Sequence, residues 1–439
     1  MHALSGHFRK PALAEIVLFG VMVFCALVDL PIRLKIAGTS GLGAGTFAAA
    51  GLVWALFLIR PVLPGYVLKS LLFLILFEIY SAGTMFWSGT GIDGVQLLVV
   101  GIAFLGLIVV CARETAMNPA NGLLILRMLL IATSIGVAMY WYVAYTEPKL
   151  GEGADDLINP RPFALFALTV VAAALACWRG PHRSKMASVL PLAWAAITTF
   201  TVGLSMSRTA LVCCAALFPL AILLRLNFKS FMQALSLLVV GGALFVVAVF
   251  SYQPLYDRFF AGDVAIHAGG YTFNASGRTR IWDVLLRGIG DDWVFGKGVA
   301  SSEVLVRRTF KDLIVQPHND YLRFYFDTGI VGLALWLCFA GAFYSRTIAN
   351  LRRSLRDGSA DYPLHVAGLL AFSAVSWSML TDNSVCYSFV MMPLAMVMGC
   401  SLGADGSVAM PVISDPQGFE AVFPEQLPQA IPRKIRSVS

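Results

Sequence analysis

Between Met186 and Leu224 the chain runs 39 residues with a single charged side chain, Arg208, set near the middle in "GLSMSRTALVCC". A guanidinium in so apolar a run either snorkels to an interface or serves a function. The chemistry it offers is anion recognition, because its planar fork of N–H donors matches phosphate oxygens and stays charged. A second pair, Arg278 and Arg280 in "NASGRTRIWD" with Trp282, offers the same clamp. The structural alternative is a solvated helix face capped by Asn274 or Ser276. The third stretch is "QPHNDYLRFYFDTGIVGLALWL", residues 316–337, where His318 follows Pro317 at a helix start. An imidazole there is a candidate general acid or base. Its structural alternative is a cap, with Asn319 and Asp320 as ordinary first-turn residues.

Other polar features point less clearly to chemistry. Glu78 in "LLFLILFEIYSAG" is an intramembrane acid, expected to pair with a buried cation or hydroxyl. Asp155/Asp156 and Asp291/Asp292 are adjacent pairs whose side chains diverge, and no D-x-D occurs. "FGKGVASS" at 295–302 lacks P-loop spacing, and Asn274-Ala275-Ser276 matches a three-residue glycosylation sequon. The eight cysteines lie in or at the ends of apolar runs without metal-ligand spacing, so they read as small hydrophobes.

The elements that must position these residues follow from composition. Hydrophobic residues make up 58% of the 439 and charged residues 13%, about half the share usual in a soluble domain. The chain therefore reads as an all-α integral membrane protein. About twelve spans are expected, at 12–30, 42–59, 66–82, 94–111, 123–144, 162–178, 187–206, 209–225, 232–252, 329–346, 365–381 and 385–403. The first is read as an uncleaved span rather than a signal peptide. Basic residues collect in alternate connections: Arg60 with Lys69, then Arg179/Arg183/Lys185, Arg225/Lys229, and Arg346/Arg352/Arg353/Arg356. Those sides face the cytoplasm, as do both termini, and the net charge of +7 is an orientation signal rather than a nucleic-acid one.

The same rule places Arg208. Lys185 and Arg225 both belong to the cytoplasm, and one helix of this length would run roughly 58 Å, against a bilayer core of about 30 Å. The segment must be a hairpin with "SMSR" at its outer tip. Residues 146–161 form a modest outer loop and 253–328 one large outer loop. In the latter, "RTRIWDVLLRGI" and "SSEVLVRRTFKDLI" are amphipathic and are expected to lie along the membrane surface. The membrane domain spans 1–403, and the Pro-rich tail 404–439 is expected to be disordered.

Three of these elements in order, Ser205-Met206-Ser207-Arg208, Arg278/Arg280 with Trp282, and His318-Asn319-Asp320-Tyr321-Leu322 followed by Gly329 and Gly332, resemble the O-antigen ligase/polymerase superfamily. The resemblance is specific over 190–345 and rests elsewhere on the span pattern. It implies a glycosyltransferase of the bacterial inner membrane with its active site facing the periplasm. The donor would be a glycan on undecaprenyl diphosphate, and the acceptor lipid A–core (ligase) or a second lipid-linked glycan (polymerase). No metal or other cofactor is implied. His318, Arg208 and Arg280 are the expected catalytic residues, with Arg278, Ser207, Asn319, Tyr321 and Trp282 binding substrate. Arg280 is preferred over Arg278 for the single family position. Two rivals stand beside this reading: a lipid-linked oligosaccharide flippase or transporter, which would favour midplane sites and repeats not seen here, and a purely structural scaffold.

Overall fold

A computed structural model of the chain describes residues 13–28, 30–36, 39–150, 160–180, 185–260, 264–268, 271–274, 277–311 and 315–405. It is helical apart from two two-stranded hairpins, β1 (Lys35–Ile36) with β2 (Thr39–Ser40) and β3 (Val264–Ala268) with β4 (Tyr271–Asn274). The helices are α1 (Leu13–Ala26), α2 (Gly41–Ile59), α3 (Gly65–Ser88), α4 (Ile92–Met117), α5 (Pro119–Leu150), α6 (Pro160–Arg179), α7 (Lys185–Leu204), α8 (Arg208–Leu223) and α9 (Phe228–Ser251). After them come α10 (Gln253–Phe260), α11 (Arg278–Gly288), α12 (Ser301–Thr309), α13 (Asp320–Asp357), α14 (Tyr362–Ser378) and α15 (Ser388–Gly403).

A helix stands at each of the twelve expected span positions. Seven of them (α2, α3, α4, α5, α6, α9 and α13) are long and apolar enough to cross a membrane, while α1, α7, α8 and α15 are shorter apolar helices. Helices α6, α14 and α15 are apolar on every face and are buried along nearly their whole length, so they form the centre of the bundle. Helix α15 lies so close to α4 that a Cβ at Gly403 would sit 2.2 Å from the Ala112 carbonyl oxygen. Only glycine permits that approach.

The expectation of surface-lying helices in the large loop is corrected. Ile281, Leu285 and Ile289 of the α11 segment turn onto Val306 of α12 and Phe326 of α13, forming a small core of their own. The aliphatic stripe is consumed by neighbouring helices rather than by lipid. The glycine-rich "FGKG" stretch has an architectural role. It runs beside a break in α13 at Gly329, where φ is +66° and ψ −168°. Lys297 N–H donates to the Phe326 carbonyl (3.0 Å) and Gly298 N–H to that of Asp327 (2.8 Å). A Cβ at Gly329 would lie 2.1 Å from the Val294 carbonyl oxygen, so the glycine is required both for conformation and for space. The loop is further tied to the α3–α4 turn, with Tyr80 Oη donating to the Phe295 carbonyl, Trp87 Nε1 to Gly296 and Thr90 Oγ1 to Val299.

Three smaller expectations also shift. The cysteines are all free, and Cys338 is exposed on α13 rather than buried. Glu78 faces α4, its carboxylate filling the space above Gly101, and among the described residues it meets neither a cation nor a hydroxyl. Asp405, expected to open the tail, is buried and taken by Arg346 and Arg353. The rest of the tail, with Asp155, Asp156, Ala275 and Ser276, lies outside the described residues.

Candidate active site

Four segments far apart in sequence meet at one end of the bundle. A small pocket there is lined by Arg161 at the start of α6, Met206 to Thr209 at the α7–α8 turn, Arg278 at the start of α11, and Asp382 in the α14–α15 turn. Three arginines and one aspartate thus line one pocket. Arg208 is the first residue of α8, as the hairpin argument requires, and its guanidinium lies 5.9 Å from the Phe259 ring centre. A cation at a helix N-terminus works against the helix dipole, so its placement is not explained by stability. Ser207 is the buried N-cap of that helix and lines the pocket.

Asp382 links the parts. Its Oδ2 lies 3.7 Å from Arg278 Nη2, and its Oδ1 lies 3.8 Å from His318 Nδ1. Burial pushes this carboxyl up, but the nearby His318 ring and the Arg278 charge outweigh it and hold the group below its ordinary value. The turn carrying it is joined to the Arg208 turn by a 2.7 Å hydrogen bond between the Thr381 and Thr209 hydroxyls.

His318 is held by the next residue of the same turn. Its backbone N–H donates to Asn383 Oδ1 at 2.7 Å, and Asn383 Nδ2 lies 2.8 Å from His318 Nδ1. A backbone N–H can only donate, so the atom facing it is the amide oxygen. The other atom is then the NH₂, which can only donate, and Nδ1 must accept. In this arrangement the neutral ring carries its proton on Nε2; the support that His318 gives the Asp382 carboxylate requires a proton on Nδ1. His318 also sits at φ +55°, and Met206 beside Arg208 at +54°, so both motifs place a non-glycine residue in the left-handed region. Such strain persists only where surroundings enforce it.

Several of the expected substrate-binding residues make structural hydrogen bonds. Asn319 is the N-cap of α13, its Oδ1 accepting from Leu322 N–H at 2.9 Å. His318 is thereby relieved of capping. Trp282 Nε1 donates to the Pro317 carbonyl (3.2 Å), bracing the His318 segment against α11, and Tyr321 Oη donates to the Ser376 carbonyl (3.0 Å) on α14. Arg280 is exposed and does not line the pocket, whereas Arg278 does. The two lie on opposite sides of a helix, about 200° apart at 100° per residue, so only one can face inward. Of the two, Arg278 is therefore the one placed at the pocket.

Beneath these turns lies a buried ionic network that sequence inspection passed over. Asp320, read as an ordinary first-turn residue, is fully buried, and its Oδ2 accepts from the backbone N–H groups of Ser384 (2.6 Å) and Val385 (3.1 Å). Arg323, also fully buried, lies 3.4 Å from Asp320, donates to Glu303 at 2.5 Å and also donates to Gln316. The network ties the Asp382 turn to the His318 segment. Among the described residues no three His, Cys, Asp or Glu side chains are grouped as metal ligands.

A sequence profile of the O-antigen ligase family matches residues 191–337. That segment is similar to the O-antigen ligase family. It covers about a third of the chain and runs from α7 into α13, so it includes Ser207, Arg208, Arg278, Trp282 and His318. Arg161, Asp382 and Asn383 lie outside the matched segment, and folding brings them to it. No curated protein matches the chain. The O-antigen ligase match, with the apolar helices, supports a membrane protein of the O-antigen ligase/polymerase type, a superfamily of membrane glycosyltransferases acting with lipid-linked glycans and lipid acceptors.

Proposed function

We propose that this protein acts as an O-antigen ligase, transferring a glycan from undecaprenyl diphosphate to lipid A–core at the periplasmic face of the inner membrane. The observation that carries the reading is the convergence of Arg161, Arg208 and Arg278 around Asp382, beside His318, at one end of an apolar bundle. A polyprenyl tail lies in the bilayer, so its diphosphate arrives at headgroup level, where the α7–α8 tip lies if the helices span. In transfer, the acceptor oxygen bonds to the anomeric carbon while the bond from that carbon to the diphosphate oxygen breaks. The leaving diphosphate takes the electron pair, and fixed guanidinium groups stabilise the growing charge.

The acceptor proton goes to His318 in the simplest course. Taking it at Nε2 requires the tautomer with Nδ1–H turned to Asp382, once the Asn383 amide swings aside. In the resting tautomer the ring meets the acceptor oxygen or the diphosphate as a donor and orients it.

A gel of surface glycolipids from a strain lacking the protein tests the assignment. Long polymer retained on undecaprenyl diphosphate beside bare lipid A–core is the expected result. Core bearing a single repeat and no long chains would make the protein a polymerase. Lipid-linked repeats stranded on the cytoplasmic side would make it a flippase.

A further inference from the structure

A second, larger cavity lies at the same end of the bundle. It is partly open and measures about 250 Å³, against roughly 10–15 Å³ for a single water on that measure. Its lining differs in kind from the arginine pocket. It has no Lys, Arg or His; instead it presents the amides of Gln96 and Gln316, the carboxylates of Asp93 and Glu303, and the aromatic rings of Phe47 and Tyr387. Ser388, the first residue of α15, also lines it, 1% exposed, with an Oγ that finds no hydrogen-bond partner. A buried hydroxyl without a partner is costly unless something else supplies one.

This composition rejects phosphate and suits sugar. The lining offers an anion no cation, and its carboxylates are already paired, Glu303 with Arg323 and Asp93 with Arg307, whereas amides bond pairs of hydroxyls and aromatic rings pack on the apolar faces of pyranoses. The polar groups are also preorganised. Arg323 donates to both Gln316 and Glu303, so those side chains are fixed before any ligand arrives. The cavity and the arginine pocket share no residue, yet the same two segments lead from one to the other. Gln316 stands two residues before His318. Asp382 lines one pocket and residues 386–388 the other, with Asn383 between them bonded to His318.

We propose that this cavity seats the neutral sugar end of the acceptor, presenting its hydroxyl at His318 while the arginine pocket holds the donor diphosphate. The inference rests on the glycosyltransferase reading and deepens it.

Direct binding tests it on the full chain in nanodiscs, with deacylated, dephosphorylated core oligosaccharide as the probe and saturation-transfer NMR as the readout. The wild type and Arg208→Ala should give equal signals, Ser388→Ala should bind about tenfold more weakly, and Gln96→Trp, which fills the cavity, should abolish the signal. Thermal unfolding identifies any variant that fails to fold, and Ser388→Ala stands as the conservative second variant. Unchanged binding in Ser388→Ala, loss of binding in Arg208→Ala, or no binding to wild type would each overturn the proposal. A parallel titration with undecaprenyl diphosphate separates the two readings. If that lipid binds wild type but not Arg208→Ala while the oligosaccharide does not bind, only the acceptor site fails. If neither ligand binds, the glycosyltransferase reading fails as well.

Discussion

The α7–α8 turn and the α14–α15 turn are near-mirror solutions to one problem. Each is a short polar tip between two apolar helices, "SMSR" in one and "TDNS" in the other, and the tips touch through Thr209 and Thr381. The first presents a cation outward into the pocket. The second presents an anion that binds inward, to Arg278 and His318. The contrast teaches that the positive tip lines the pocket while the negative tip orders its neighbours. Three arginines alone would repel one another; Asp382 lies against Arg278 and the imidazole and leaves the pocket with an excess of positive charge, as the proposed diphosphate would require.

Removing the support beneath the negative tip should have the largest effect. Arg323→Ala leaves Asp320 and Glu303 without their cation, and loss of one partner from a buried ionic network costs about 3–5 kcal/mol. Thermal unfolding of the purified protein should show it, with Arg208→Ala little changed; equal destabilisation by both would erase the distinction between the tips. Next come the charges themselves. Arg208→Ala, Asp382→Ala and His318→Ala should each lower glycan transfer by about 10²–10³-fold at normal membrane levels. Near-normal transfer by Arg208→Ala and His318→Ala together would sink the catalytic assignment. Lysine at 208 should rescue poorly, because it lacks the fork.

The two arginines of α11 sharpen the comparison further. Arg278→Ala should match Arg208→Ala, while Arg280→Ala should stay within about twofold of wild type in the same assay. Asn383→Ala should reduce transfer about tenfold and alter its pH profile, since it releases His318 from one tautomer. The smallest effect concerns pH. Asp382 is held below its ordinary value, so its stabilising contribution is present above that value and is lost only as pH falls through the lowered one. The difference in melting temperature between wild type and Asp382→Asn should therefore shrink as the pH falls below about 4.

Arg208 could be found in the sequence because a lone charge in 39 residues is conspicuous against apolar neighbours. His318 could be found because a neighbouring proline and a glycine-spaced span mark where its helix begins. Asp382 and Asn383 carry no such mark. They stand at the junction of two spans, where a polar residue is ordinary, and nothing local shows that they reach back across 64 and 65 positions to His318. Arg161 is hidden for the same reason, as one basic residue at the mouth of α6. The choice between Arg278 and Arg280 turned on helix rotation, which two adjacent candidates in a string cannot reveal.

The sequence by itself determined the helical membrane character and the hairpin that puts Arg208 at a tip, because hydropathy and length are local properties. Only the tertiary structure decided which arginine faces the pocket, that Asn319 caps while His318 does not, and that α11 buries its aliphatic stripe on α12 and α13. Those outcomes depend on what each side chain finds opposite it, and partners are set by packing between segments far apart in the chain.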